Sequence, residues 1–170
     1  MERLIDEMLR LSRVTRAEMS RIPVDLSQLA SAITRRLREA VPERELEFVV
    51  EGGLTASGDP DLLEIMLTNL LENAVKFTKP RARARIEFGR RGWERESVFC
   101  VGDNGVGFDM AHAAGLFGAF QRLHKASEFP GTGIGLATAQ RVIRRHGGRI
   151  WAEAEPEKGA RFYFTIGGEA

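Results

Sequence analysis

Three short segments, in fixed order, carry residue types that a packed core does not ask for: Asn69-Leu-Leu-Glu72-Asn73-Ala-Val-Lys76-Phe77, then Asp103-Asn-Gly105-Val-Gly107, then Gly131-Thr132-Gly133-Ile134-Gly135. On a helix, Asn69 and Asn73 stand one turn apart and present two amide oxygens on one face. An amide oxygen is a hard, neutral ligand suited to Mg²⁺, which takes few protein oxygens and fills its shell with phosphate and water. Lys76, three residues on, adds a positive charge for the same phosphates. At the end of a strand, Asp103 can accept a hydrogen bond from an exocyclic amine, which adenine has and guanine replaces with a carbonyl. Gly105 and Gly107 let the chain turn there with its backbone exposed. The glycines of the third segment precede a helix, so free N–H groups and the positive end of the dipole meet at one point and make an anion site. No Gly-Lys-Ser/Thr follows, which excludes a Walker loop. The Rossmann fingerprint fits poorly, since its third glycine falls a residue early and no strand leads directly into it. Taken singly, the segments also read as an Asn bonded to backbone, an Asp-Gly turn and a hinge. Together they describe a pocket for a nucleotide and its metal.

The elements that must position these residues follow from periodicity. Residues 2 to about 20 lack Gly and Pro, and Leu4, Ile5, Met8 and Leu11 fall at helical spacing, giving an amphipathic helix that needs a partner. Pro23 cannot continue it and biases Ile22 towards extended backbone, so a domain boundary is placed there, with residues 1–22 separate from 23–170. Asp25 and Gln28 form a capping-box pattern opening a helix through Leu26, Leu29, Ala30, Ile33 and Leu37 to near Pro42. Leu46, Phe48 and Val50 alternate with charged residues as a strand ending at Gly52-Gly53. Asp59-Pro60 opens the helix that carries Asn69, Asn73 and Lys76. Two strands follow, one through Ala82, Ala84, Ile86 and Phe88 with alternating arginines from Arg81 to Arg91 on a solvated face, and one over Val98–Val101 that delivers Asp103. Between Gly107 and Gly131 the pattern weakens to a long loop with one helical turn, a length that usually serves function or motion. A helix from Ile134 to Arg145, with Ala137, Val142 and Ile143 inward, ends at Gly147-Gly148. Strands over 149–155 and 160–166 close a hairpin around Pro156-Glu-Lys-Gly159. The sum is helices over one face of a mostly antiparallel sheet.

Composition narrows the function classes. The chain has 170 residues, 43% hydrophobic, enough for one core and a short appendage. With Lys+Arg 25 against Asp+Glu 24, the charge balance argues for no nucleic-acid or membrane surface. A single Cys100 rules out an intramolecular disulfide framework and is read as a buried strand residue. No apolar run reaches the roughly 20 residues that span a bilayer. No N-terminal stretch has the makeup of a signal peptide, so the expected location is cytoplasmic. Trp93 is read as a loop aromatic and Trp151 as a strand residue over the core.

The order and wording of the three segments, with Leu116-Phe117-Gly-Ala-Phe120-Gln-Arg122-Leu-His124 between them, resemble the asparagine, first glycine, phenylalanine and second glycine boxes of the ATP-binding domain of sensor histidine kinases. The likeness is to the GHKL (Bergerat) ATPase superfamily, close to phytochrome-like members, and covers roughly residues 24 to 167. It implies an α+β fold: a two-layer α/β sandwich, helices packed on one face of a mixed, mostly antiparallel sheet, with an N-terminal helix. It implies ATP and Mg²⁺ as ligands, with Asn73 on the metal, Asn69, Asn73 and Lys76 as the catalytic set, and Lys76 and Arg122 on phosphates. Phe77 would neighbour adenine and Asp103 would read it. Gly105, Gly107, Phe117, Phe120, Gly131, Thr132, Gly133, Ile134, Gly135 and Leu136 would line the nucleotide, and 108 to 130 would form an ATP lid.

The same resemblance sets the expected chemistry. In the gyrase and mismatch-repair ATPases of this fold a glutamate stands where Asn69 stands here, and an amide cannot act as a general base. ATP is therefore expected to be held for transfer, with positioning and charge neutralisation supplying most of the catalysis. Glu72 points about 100° away from Asn73 on an ideal helix. Residues 1–22 resemble the end of the second helix of a dimerisation hairpin, whose first helix would bear the phospho-accepting histidine. None of His112, His124 and His146 has that setting, and His146, before two glycines, is read as serving a helix C-terminus. Expected partners are that acceptor helix, a response-regulator receiver domain and a second copy in a full-length homodimer. The competing readings are a gyrase-type hydrolase and a non-catalytic, nucleotide-regulated interaction module acting through the N-terminal helix.

Overall fold

The computed structural model describes residues 2–93, 96–118 and 133–167, with the side chains of Glu2 and Trp93 left aside. Phe120, Arg122, His124, Gly131 and Thr132 of the expected site lie outside the described residues.

The described residues form four α-helices and seven strands: α1 (Glu2–Arg16), β1 (Ile22–Asp25), α2 (Leu26–Ala40), β2 (Glu45–Val50), β3 (Thr55–Gly58), α3 (Pro60–Phe77), β4 (Arg83–Trp93), β5 (Glu96–Asp103), α4 (Gly135–Arg145), β6 (Ile150–Ala154) and β7 (Ala160–Thr165). A 3-10 turn, Met110–Gly115, precedes α4. The main sheet has the order β2-β4-β5-β7-β6, with β2 parallel to β4 and the remaining pairs antiparallel. This is the expected mixed, mostly antiparallel sheet under a layer of helices.

Local chemistry sets the helix starts. Asp25 caps α2 by accepting the Gln28 N–H at 2.9 Å, and Asp59 caps α3 by accepting the Asp61 and Leu62 N–H groups at 3.0 and 3.1 Å, with Pro60 just inside. Leu62, Leu63, Met66, Leu67, Leu70, Leu71 and Ala74 bury one side of α3. They meet Ile86, Phe88, Phe99, Val101, Phe162 and Phe164 of the sheet in one core. Strand alternation sends the other residues through the sheet: Val98, Cys100 and Tyr163 form a second cluster, with Trp151 stacked 5.5 Å from Tyr163. Trp151 therefore lies on the face away from the helices rather than over the main core. Cys100 is buried there as expected, and burial pushes its thiol up to about 11.

Three differences from the sequence expectation have physical causes. Pro23 does not simply break the chain: Ile22–Asp25 is a strand paired antiparallel with Thr55–Gly58, a strand too short and small-residued to show a pattern. On this two-stranded ribbon each partner has one open edge, which tolerates proline. The backbone of Trp93 belongs to β4 rather than to a loop, and pairs with Glu96. Ala137 of α4 is only half-buried, while Ala139, Val142 and Ile143 carry the inward face.

Candidate nucleotide site

Helix α3 is the spine of the site. Its apolar side fixes it to the sheet, which leaves Asn69, Asn73, Lys76 and Phe77 half-buried along one margin. Asn69 reaches the start of α4: its Oδ1 lies 3.4 Å from where a Cβ on Gly135 would stand. At the other end, the Phe77 carbonyl accepts the Val106 N–H at 3.1 Å, and a Cβ on Gly105 would collide with that same carbonyl. Residues from all three segments are thus brought together by one helix. Neither Asn69 nor Asn73 has a side-chain hydrogen bond among the described residues, so their amides remain open to a ligand. Lys76 holds its ammonium 4.8 Å from the Phe77 ring centroid, a cation–π contact.

Strand β5 delivers Asp103 as the sequence indicated. Its Oδ1 accepts the Gly105 N–H at 2.8 Å. Burial nevertheless raises its carboxyl to about 6, with the Gly105 and Ala160 amides pulling the other way. A half-buried carboxylate without a cationic partner among the described residues gains from any donor offered to it. Gly107 has φ +60°, and a Cβ there would strike the carbonyl oxygens of Glu155 and Gly159. Gly159 in turn closes against the Asp103 carbonyl. The loop after Asp103 and the β6–β7 turn are therefore pressed together through glycines.

Among the described residues, helix α4 starts without a side-chain cap at Ile134, so they leave its first N–H groups to solvent or an anion. Gly133, with φ +79°, makes the turn into it, Ile134 is buried, and Leu136 packs against the core. The first part of the expected lid is anchored: Phe108 and Leu116 are buried, and Phe108 and Phe117 both contact Phe162, the latter edge-on at 6.3 Å. His112 is exposed in the 3-10 turn.

Two residues go beyond the sequence expectation, Arg81 in its place and His146 in its charge. Arg81 precedes β4 instead of lying on its solvated face. Its guanidinium donates to the carbonyls of Asn104, Gly105 and Glu157 at 2.9, 3.1 and 2.9 Å, clamping the Asp103 loop to the hairpin turn. Only its place in a helix-to-strand connection could have set it apart from Arg83 and Arg85, which do lie on the surface, paired with Glu45, Glu47 and Glu87. His146 caps α4 as read, but as a buried neutral ring. Its Nδ1 donates to the Val142 carbonyl at 2.7 Å, and its Nε2 accepts the Asp59 N–H at 3.0 Å. Burial lowers its pKa, so it places no charge on the helix dipole.

An Mg²⁺ ion with a triphosphate fits this donor set in kind: two amides without a hydrogen bond and a helix start without a side-chain cap among the described residues, and a lysine. Among the described residues no group of three His, Cys, Asp or Glu could hold a metal by itself.

The sequence model of the histidine kinase-, DNA gyrase B-, and HSP90-like ATPases matches residues 58–169. The chain is 36% identical to cyanobacterial phytochrome A of Nostoc sp. (strain PCC 7120 / SAG 25.82 / UTEX 2576), over 98% of this chain and 22% of the relative. It is 31% identical to the adaptive-response sensory kinase SasA of Synechococcus sp. (strain JA-3-3Ab), over 98% of this chain and 45% of the relative. It thus spans less than half the length of either relative. Among solved structures, full-length ShkA in complex with AMPPNP aligns with TM-score 0.77 and 27% identity, over 98% of this chain and 36% of that one. The mycobacterial sensor histidine kinase MprB aligns with TM-score 0.72 and 24% identity, over 86% and 97%, a likeness of fold.

Proposed function

Since the chain belongs to the family of histidine kinase-, DNA gyrase B-, and HSP90-like ATPases, we propose that it is the ATP-binding catalytic region of a two-component sensor histidine kinase. In this reading residues 23–170 bind Mg-ATP, and 1–22 end a dimerisation and phosphotransfer hairpin. The γ-phosphoryl group passes to a histidine nitrogen on a helix outside this chain, leaving ADP, and a receiver-domain aspartate takes it next. The full protein acts as a homodimer with this region in the cytoplasm. Among the described residues no helix is long and apolar enough to cross a membrane.

The observation that carries the reading is the convergence on α3, where Asn69 sits beside Gly135 while Phe77 holds the loop after Asp103. Asn73 would hold Mg²⁺, which supplies charge neutralisation along the triphosphate. Lys76 and Arg122 take phosphate oxygens, Phe77 lies by the purine, and the Asp103 carboxylate accepts from its amine. The glycines around Gly105 and Gly133 and the apolar Phe117, Phe120, Ile134 and Leu136 keep water out, and residues 108–130 close as a lid. Asn69 orients but takes no proton, since an amide is no base, and this favours transfer over a gyrase-type hydrolysis.

Labelled ATP and a separate acceptor helix test it. Acid-labile, base-stable label is expected on the acceptor, lost in Asn73→Ala. Nucleotide binding with an unlabelled acceptor would reduce the reading to an interaction module, and steady hydrolysis abolished by Asn73→Ala would favour the hydrolase.

A further inference from the structure

Helix α1 is fixed to the ATP-binding body by an exchange of arginines between two helix ends. Arg145, in the last turn of α4, donates from Nη1 to the Val14 carbonyl at 2.7 Å, one of the carbonyls that the end of α1 leaves without an internal partner. Arg21, just beyond α1, reaches back: its Nη2 donates to the His146 carbonyl at the end of α4 at 2.6 Å, and both Nη1 and Nη2 lie 3.3 Å from the Gly167 carbonyl. Each guanidinium thus sits at the negative end of the other element's helix, where a cation is favoured. The same corner is tied once more, because the Ser20 N–H donates to Asp59 Oδ2 at 3.0 Å while Asp59 caps α3 and gives its own N–H to His146.

Apolar packing alone does not set the angle of α1. Among the described side chains of this helix only Val14 is fully buried; Ile5 and Leu9 are 58% and 53% exposed. Between α1 and α4 an open cleft of about 260 Å³ separates Leu11 and Thr15 from Ala137, Gln140 and Arg144, with Phe117 at its wall. A helix held by one buried valine beside a cleft can pivot unless directional bonds stop it.

We propose that Arg21 and Arg145 form a clasp that fixes the direction in which α1 leaves the body, and that both are positioning residues for phosphoryl transfer to an acceptor helix packed along α1. The effect on transfer rests on the kinase reading; the clasp itself does not. Among the described residues the bonds of the two guanidinium groups go to Val14, His146 and Gly167, none of them assigned to nucleotide, so releasing the clasp is expected to change where the acceptor stands rather than the pocket.

The test uses the whole chain with spin labels at Arg10→Cys on α1 and Ser31→Cys on α2, the buried Cys100 remaining unlabelled. With both arginines present, one narrow distance peak is expected. In Arg21→Ala/Arg145→Ala the peak broadens or shifts, nucleotide affinity by calorimetry stays within about twofold, and transfer to the acceptor helix drops about 10- to 100-fold at unchanged KM for ATP. An unchanged peak overturns the clasp. Loss of nucleotide affinity in step with transfer overturns the positioning role, since it marks a general structural defect. If the parent chain transfers no label at all, the kinase reading fails and takes the positioning role with it, whereas the clasp is still decided by the distance peak.

Discussion

Asp103 is the side chain on which the proposed purine contact rests. It is held among the Gly105 and Ala160 amides with no cation beside it among the described residues, and burial lifts its carboxyl to about 6. Replacing it with Asn removes a charged acceptor but keeps the shape. If Asp103 reads the purine amine, Asp103→Asn weakens ATP by about 10- to 100-fold, the usual loss for a hydrogen bond to a charged group, and flattens the preference for ATP over GTP. Calorimetry with both nucleotides measures this, and an unchanged preference removes Asp103 from that role. The same reading makes affinity for ATP decline as the pH falls below about 6, where the carboxyl takes up its proton. Asn69 and Asn73 stand differently: they are neutral, half-buried and without a side-chain hydrogen bond among the described residues, so the fold asks nothing of their amides. Alanine at Asn73 is expected to leave thermal stability within about 0.5 kcal/mol.

Among the elements, α3 depends on one cap to a degree that its sequence does not announce. Asp59 accepts from Asp61, Leu62 and Ser20, and its N–H is taken by His146. Asp59→Ala is expected to cost about 2 kcal/mol in denaturant unfolding, at the upper end for a helix cap, because three donors lose their acceptor at a buried site. A cost near zero would mean that α3 is held by its apolar side alone. The turn glycines give a second check. Gly107→Ala forces a side chain at φ +60° into the Glu155 and Gly159 carbonyls, whereas Gly52→Ala meets nothing within 4 Å. The first should unfold far more easily than the parent in a thermal melt, and the second should match it. These caps and turns were legible in the sequence, since Asp-Pro, Asp-x-x-Gln and Gly-rich turns act through neighbours in the chain. The short β1–β3 ribbon was not, because four residues such as Thr55–Gly58 are too few to show alternation. Arg81 and the Arg21–Arg145 exchange were illegible for a related reason: their partners are carbonyls distant in the chain, and a carbonyl is present at every position.

On the scale of the whole molecule, two titrating groups, the buried His146 and the half-buried Asp103, oppose each other near neutral pH. Burial holds the His146 pKa below its ordinary 6.5, with Arg21 and Arg145 adding to the effect and Asp59 opposing it. The unfolded chain therefore binds that proton more readily, and stability from His146 is lost as the pH falls through 6.5. Asp103 runs the other way: its folded carboxyl, at about 6 against an ordinary 3.8, holds a proton that the unfolded chain releases, so stability from Asp103 rises as the pH falls from 7 towards 5. A shift of that size is worth about 2 to 3 kcal/mol. The Asp59 carboxyl is lowered, and its share is lost only below about 4. Between pH 7 and 5 the parent chain is thus expected to show a shallow stability profile made of two steeper ones. Denaturant midpoints at pH 7, 6 and 5 separate them: Asp103→Asn should lose stability steadily on acidification, and His146→Gln should gain it. The comparison is of slopes, so a general destabilisation by either substitution does not confuse the result. Parallel slopes in all three proteins would show that neither group governs the response.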